Sequence, residues 1–81
     1  MADTVSTHTH LGQNLKALRK LRYPRDDQRR FAARIGVSRA IYQKMEKGGL
    51  SISIGRYFSA AQRLDVAECF NALFLPPKEK I

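Results

Sequence analysis

At 81 residues the chain holds one small domain, and no run of about eighteen apolar residues is available to span a membrane. Its 43% hydrophobic content excludes a disordered chain, and its single cysteine excludes an intramolecular disulfide, which points to a reducing, cytoplasmic setting. The net charge of +8 suggests a surface that faces a polyanion.

The first eight residues are polar and threonine-rich and read as a flexible tail, residues 1–8. They lack the basic flank and apolar core of a signal peptide. His8 and His10 lack the Cys or carboxylate neighbours that a metal site needs, so no metal or cofactor is expected. Leu11, Leu15 and Leu18 then recur at helical spacing and predict a first helix over 10–22, with Thr9 as a candidate cap. Its other face carries Lys16, Arg19, Lys20 and Arg22. Pro24 ends it, because the residue before proline avoids helical geometry. Residues 23–27 form a turn, and Asp27 is placed to cap the next helix.

Residues 28–48 hold the central pattern. Phe31, Ala32 and Ile35 share one helical face, and Val37, Ile41, Tyr42 and Met45 share a second. Gly36 between them can take the left-handed backbone that closes the first of these helices. Ser38 can cap the second. Two short helices joined so tightly make a helix-turn-helix. The outward face of the second carries Ser38, Arg39, Ala40, Gln43, Lys44 and Lys47, with no acid among them. Arg, Lys and Gln pair with base edges in a major groove, and small residues let a helix sit deep there, so the face points to DNA binding.

Residues 50–55 alternate Leu, Ile and Ser, which fits either a short strand or an extended loop. Ser51 or Ser53 caps a fourth helix reaching about residue 64, with Ile54, Tyr57, Ala60, Ala61 and Leu64 inward and Phe58 beside them. A last short helix spans 66–74, with Val66, Phe70, Leu73 and Phe74 apolar. Pro76 and Pro77 end it, so the folded domain is expected over 9–75 and a tail over 76–81.

Charge is segregated along the chain. Residues 16–47 carry eleven Lys or Arg against Asp26, Asp27 and Glu46, which accounts for the whole net charge, and the remainder balances. A chain this size buries only about 60–65% of its unfolded surface, so a partner subunit would help its core.

These residues resemble the Cro/C1-type (XRE) helix-turn-helix family, whose fold is that of lambdoid phage repressors and of DNA-binding antitoxins. The family reads roughly Q-x-x-L-A-x-x-Φ-G-V-S-x-x-x-Φ-x-x-Φ-E-x-G, with Φ apolar. Here it stands as Gln28, Phe31, Ala32, Ile35, Gly36, Val37, Ser38, Tyr42, Met45, Glu46 and Gly48, with Phe31 replacing the usual leucine. Residues 61–66 are similar to the family's A-x-x-L-G-V, with Asp65 in place of glycine. The turn over 23–27 is about two residues longer than the family pattern.

The resemblance implies an all-α, five-helix, lambda-repressor-like domain. It implies base contacts from Ser38, Arg39, Ala40, Gln43 and Lys44. Arg39 is the candidate for a guanine; Lys44 reaches guanine or phosphate; Gln43 reads adenine or braces its neighbours. Gln28, Lys47, Ser51, Ser53 and Arg56 are implied to hold phosphates. Glu46 is implied to pair with a first-helix arginine, Arg19 or Arg22. The expected function is a non-enzymatic repressor that binds a palindromic operator as a homodimer and is nucleoid-associated when bound. The apolar set Phe70, Leu73, Phe74 and Leu75 is the expected dimer interface, with the N-terminal tail as the alternative. An antitoxin that also neutralises a protein toxin is the second reading.

Other classes find little support. The adjacent Asp26 and Asp27 are explained by capping. Cys69 has no His or Asn partner in sequence and reads as a core residue. An RNA reader would present aromatics for stacking, and only Tyr23 falls clearly outside the buried stripes.

Overall fold

A computed structural model of the chain describes residues 3–76. Four α-helices run in order, α1 (Asp3–Arg22), α2 (Gln28–Arg34), α3 (Arg39–Glu46) and α4 (Ile54–Arg63), followed by a 3-10 helix (Ala67–Ala72). No strand occurs among the described residues, and residues 50–53 form turns and a bend. Residues 77–81, most of the expected C-terminal tail, lie outside the described residues.

The core forms where α2, α3 and α4 converge. Phe31, Ala32, Tyr42, Met45, Ala60 and Leu64 are all buried, with Leu15, Leu18, Ile35, Val37, Ile41, Ile52 and Tyr57 packed around them. The Phe31 and Tyr42 rings meet tilted at 5.3 Å between centroids, and Tyr23 adds a third ring 5.4 Å from Phe31. Such offset contacts suit the opposed charge of ring face and ring edge.

The turn chemistry sets the helix-turn-helix. Asp27 Oδ1 accepts the Arg30 backbone N–H at 2.9 Å and so caps α2. Gly36 takes φ +75°, where a Cβ would be strained, and turns the chain after Ile35. Ser38 Oγ then accepts the Ile41 N–H at 3.1 Å and starts α3.

Four expectations are corrected. The first helix begins at Asp3 rather than at residue 10, so the expected tail boundary at residue 8 falls inside a continuous helix. Ile54 does not point inward: it opens α4 and is 59% exposed, because the first turn extends past the core. The last helix is a six-residue 3-10 segment rather than a helix over 66–74; Val66 stands at its N-cap and Phe74 sits in a left-handed turn at φ +62°. Cys69 is exposed rather than in the core.

Candidate nucleic-acid interface

Helix α3 divides into two faces. Tyr42, Met45 and Glu46 are buried, whereas Ser38, Arg39, Ala40 and Lys44 are exposed and Gln43 is half-buried. The inward face anchors the helix through Glu46. Its carboxylate accepts Arg19 Nε at 2.7 Å and Tyr42 Oη at 2.5 Å on one oxygen. The other oxygen accepts Gln28 Nε2 at 2.8 Å and, at 3.4 Å, Arg19 Nη2. Arg19 also donates through Nη1 to the Asp26 carbonyl at 2.8 Å. A charge this deep is tolerable only when paired and hydrogen-bonded, and this one is.

The electrostatics follow from that geometry. Burial pushes the Glu46 carboxyl up, but the hydrogen bonds from Arg19, Tyr42 and Gln28 together outweigh it and hold the group below its ordinary value. Burial raises the Tyr42 hydroxyl, reinforced by its bond to Glu46, so it stays a protonated donor. Arg34 holds Asp26 below the carboxylate range by direct hydrogen bonding, and the Arg30 backbone N–H does the same for Asp27. All three acids of the basic segment are thus ionised and engaged.

The phosphate candidates occupy the borders of α3. Lys47 is exposed at the α3 C-cap, and Ser51, Ser53 and Arg56 are exposed in the following turns and first turn of α4. Ser53 stands at the N-cap of α4 without a side-chain cap bond. Gln28 opens α2, and its amide nitrogen is engaged with Glu46. A phosphate contact from Gln28 therefore has to come from its remaining amide hydrogen or from the helix end itself.

The fold also gathers cations of α1 and α2 beside α3. An open cleft of about 480 Å³ is lined by Lys16, Lys20 and Arg29 together with Gln28, Asp27 and Arg39. A second, of about 240 Å³, is lined by Lys16, Gln43, Lys47, Gln28 and Glu46. Lys16 and Gln28 border both. Lys16, Lys20 and Arg29 thus stand beside Arg39 at the start of α3, a placement set by how α1 and α2 pack against α3. Only the charge of Lys16 and Lys20 on the polar face of the first helix signalled it.

Tyr23, expected to be free, is not. It lies half-buried beneath Arg34, whose guanidinium carbon is 4.7 Å from the ring centroid, and its hydroxyl donates to the Arg63 carbonyl at 3.2 Å. After α4, Phe70 packs edge-on to Phe58 at 5.2 Å, while Leu73, Phe74 and Leu75 are exposed. Among the described residues no helix is long and apolar enough to cross a membrane, and no cluster of three or more His, Cys, Asp or Glu forms a candidate metal site.

A search of curated proteins finds no match, and neither does a search of solved structures. Residues 15–70 match a family profile described as helix-turn-helix. That span takes in Arg19, the α2–α3 pair, α4 and most of the 3-10 helix. With the two short helices, the glycine turn, the serine cap and an outward basic face in place, the chain belongs to the Cro/C1-type helix-turn-helix family of DNA-binding domains.

Proposed function

We propose that the protein is a sequence-specific, double-stranded DNA-binding transcriptional regulator that represses by occupying a palindromic operator as a homodimer. Helix α3 enters the major groove. Arg39 makes the principal base contact, with Ser38, Ala40, Gln43 and Lys44 beside it. Gln28, Lys47, Ser51, Ser53 and Arg56 hold the phosphates and fix register, joined by Lys16, Lys20 and Arg29 from the clefts. In a dimer the two reading helices meet half-sites about 34 Å apart.

The observation that carries this reading is the division of α3. Among the described hydrogen bonds, every side-chain bond of α3 and its cap runs through Tyr42, Glu46 and Ser38. Arg39, Ala40 and Lys44 stay exposed, and Arg39 borders a cleft lined by further cations.

A gel shift on the DNA upstream of the protein's own gene, with random competitor at two salt concentrations, tests it. A discrete complex that survives competitor supports sequence-specific binding, and footprinting then locates the half-sites. A complex that salt and competitor abolish leaves only attraction to phosphate and overturns the reading.

A further inference from the structure

Asp27 stands apart among the acids of the basic segment. Asp26 is paired with Arg34, and Glu46 with Arg19. Asp27 is exposed, and its described hydrogen bond is the cap, from the Arg30 backbone N–H to Oδ1. Its second oxygen, Oδ2, takes part in none of the described hydrogen bonds or ion pairs. The side chain lines the cleft of about 480 Å³ together with Lys16, Lys20, Arg29 and Arg39.

Capping does not call for a charge. Ser38 caps α3 with a neutral hydroxyl, and serine or asparagine caps a helix about as well as aspartate. On a surface that meets phosphates, a carboxylate repels the duplex and lowers affinity. A charge that the cap does not need and phosphates disfavour calls for another use.

We propose that Asp27 is a positioning residue that sets specificity: on DNA, its Oδ2 holds the Arg39 guanidinium in the plane of a base edge. The inference rests on the reading above in which Arg39 contacts a base.

The cleft singles out Arg39 among its cations. Lys16 and Lys20 end in ammonium groups, point charges with no plane to fix. Arg29 shares α2 with Asp27 and is its neighbour whatever the fold does. Arg39 belongs to another helix and is brought to Asp27 by the packing of α2 on α3. Electrostatics agree. The Arg30 backbone N–H does most to hold the Asp27 carboxyl below its ordinary value, and the charges of Arg29, Arg30 and Arg39 add to it. Of these, Arg39 alone lies outside α2.

The chemistry suits a three-way contact. A guanidinium carries several N–H donors in one plane. A pair of them meets O6 and N7 of a guanine, which leaves others for a carboxylate in the same plane. Arg39 is exposed and its side chain makes no described hydrogen bond. Unbraced, it is free to turn to a phosphate, a contact that carries no sequence information. The acid thus lowers affinity for any duplex and raises discrimination between them.

A site that the wild-type chain selects from a randomised duplex library supplies the probe. Asp27→Asn and Asp27→Ser keep a cap acceptor and remove the charge. Each should flatten the preference at the base pair where Arg39→Ala flattens it, by about tenfold, while binding random duplex more tightly than wild type. Asp27→Asn combined with Arg39→Ala should be no flatter than Arg39→Ala alone. A role in capping alone would lower the melting temperature and weaken all sequences alike, and that outcome overturns the inference. So does an Asp27→Asn chain that keeps the preference lost in Arg39→Ala, which leaves Arg39 standing as the base contact. A wild-type chain that selects no consensus, or an Arg39→Ala chain that keeps every preference, overturns the base-contact reading and this inference with it.

Discussion

Gly12 of α1 and Gly48 at the end of α3 meet backbone to backbone. A Cβ on Gly12 would lie 2.5 Å from the Gly48 nitrogen and would press on the Glu46 carbonyl, while one on Gly48 would collide with the His8 carbonyl. The first helix therefore crosses the end of α3 closer than any side chain permits. Neither obstacle is a flexible side chain, so neither can swing aside.

Gly12→Ala should accordingly destabilise the fold by about 1–3 kcal/mol, the usual cost of overpacking. Gly48→Ala should cost more, because it adds a left-handed φ of +78° to the clash. Urea denaturation followed by circular dichroism would measure both.

The Glu46 hub predicts a larger loss. Glu46→Ala leaves Arg19 buried without its partner, and breaking such a pair typically costs about 3–5 kcal/mol. At roughly 4–8 °C per kcal/mol for a domain of this size, the melting temperature should fall by about 12–40 °C. A thermal melt checks this.

The same groups set the acid limit. Glu46, Asp26 and Asp27 are each held below their ordinary values, 4.5 for the glutamate and 3.8 for the aspartates. A depressed carboxyl stabilises the fold fully above its unfolded value and loses that stabilisation as pH falls through the folded one. Stability should therefore be flat from neutral pH to about 5 and drop below 4. Urea midpoints at a series of pH values would show the drop, and Asp26→Asn should make it shallower.

Ser38 separates stability from recognition. Ser38→Ala removes the α3 cap and should cost about 1 kcal/mol. Ser38→Asp restores the cap, because aspartate accepts the same N–H, but sets a negative charge at the proposed DNA face. It should melt like wild type and bind DNA far more weakly. Equal binding by the two would place Ser38 away from the duplex.

The two proposed classes of DNA contact should differ in kind. Arg39→Ala should relax the preference at one base pair by about 1–3 kcal/mol. Lys16→Ala, Lys20→Ala and Lys47→Ala should each weaken all sequences alike and reduce the salt slope by about 1 per subunit. Competition assays across a substituted operator, repeated at several salt concentrations, separate these outcomes.

The turn and both of its helices were legible because their signals are local: an apolar repeat, a glycine, a serine and an aspartate at the right offsets. The N-terminal extension of α1 was not, because Thr, Ser and His between residues 4 and 10 are poor helix formers with no apolar repeat. That stretch ends against Gly48, some forty residues away in the chain, a contact no window can show. In sequence Lys16 is only a charge on a polar face, since its neighbourhood depends on a crossing between helices. The spacing of Ile54 fits the inward stripe, although the core ends short of it. The pairing of Glu46 with a first-helix arginine came through family resemblance alone, and Arg19 is the residue that the fold puts there.

The division of α3 has an evolutionary consequence. The side chains that hold the helix and those that face outward alternate along eight residues, yet among the described hydrogen bonds Arg39, Ala40, Gln43 and Lys44 contribute no side-chain bond. Substitutions at these four positions leave the scaffold's own bonds intact. Under the proposed function, a copy of this gene could therefore drift to a new operator one residue at a time while those bonds stay in place.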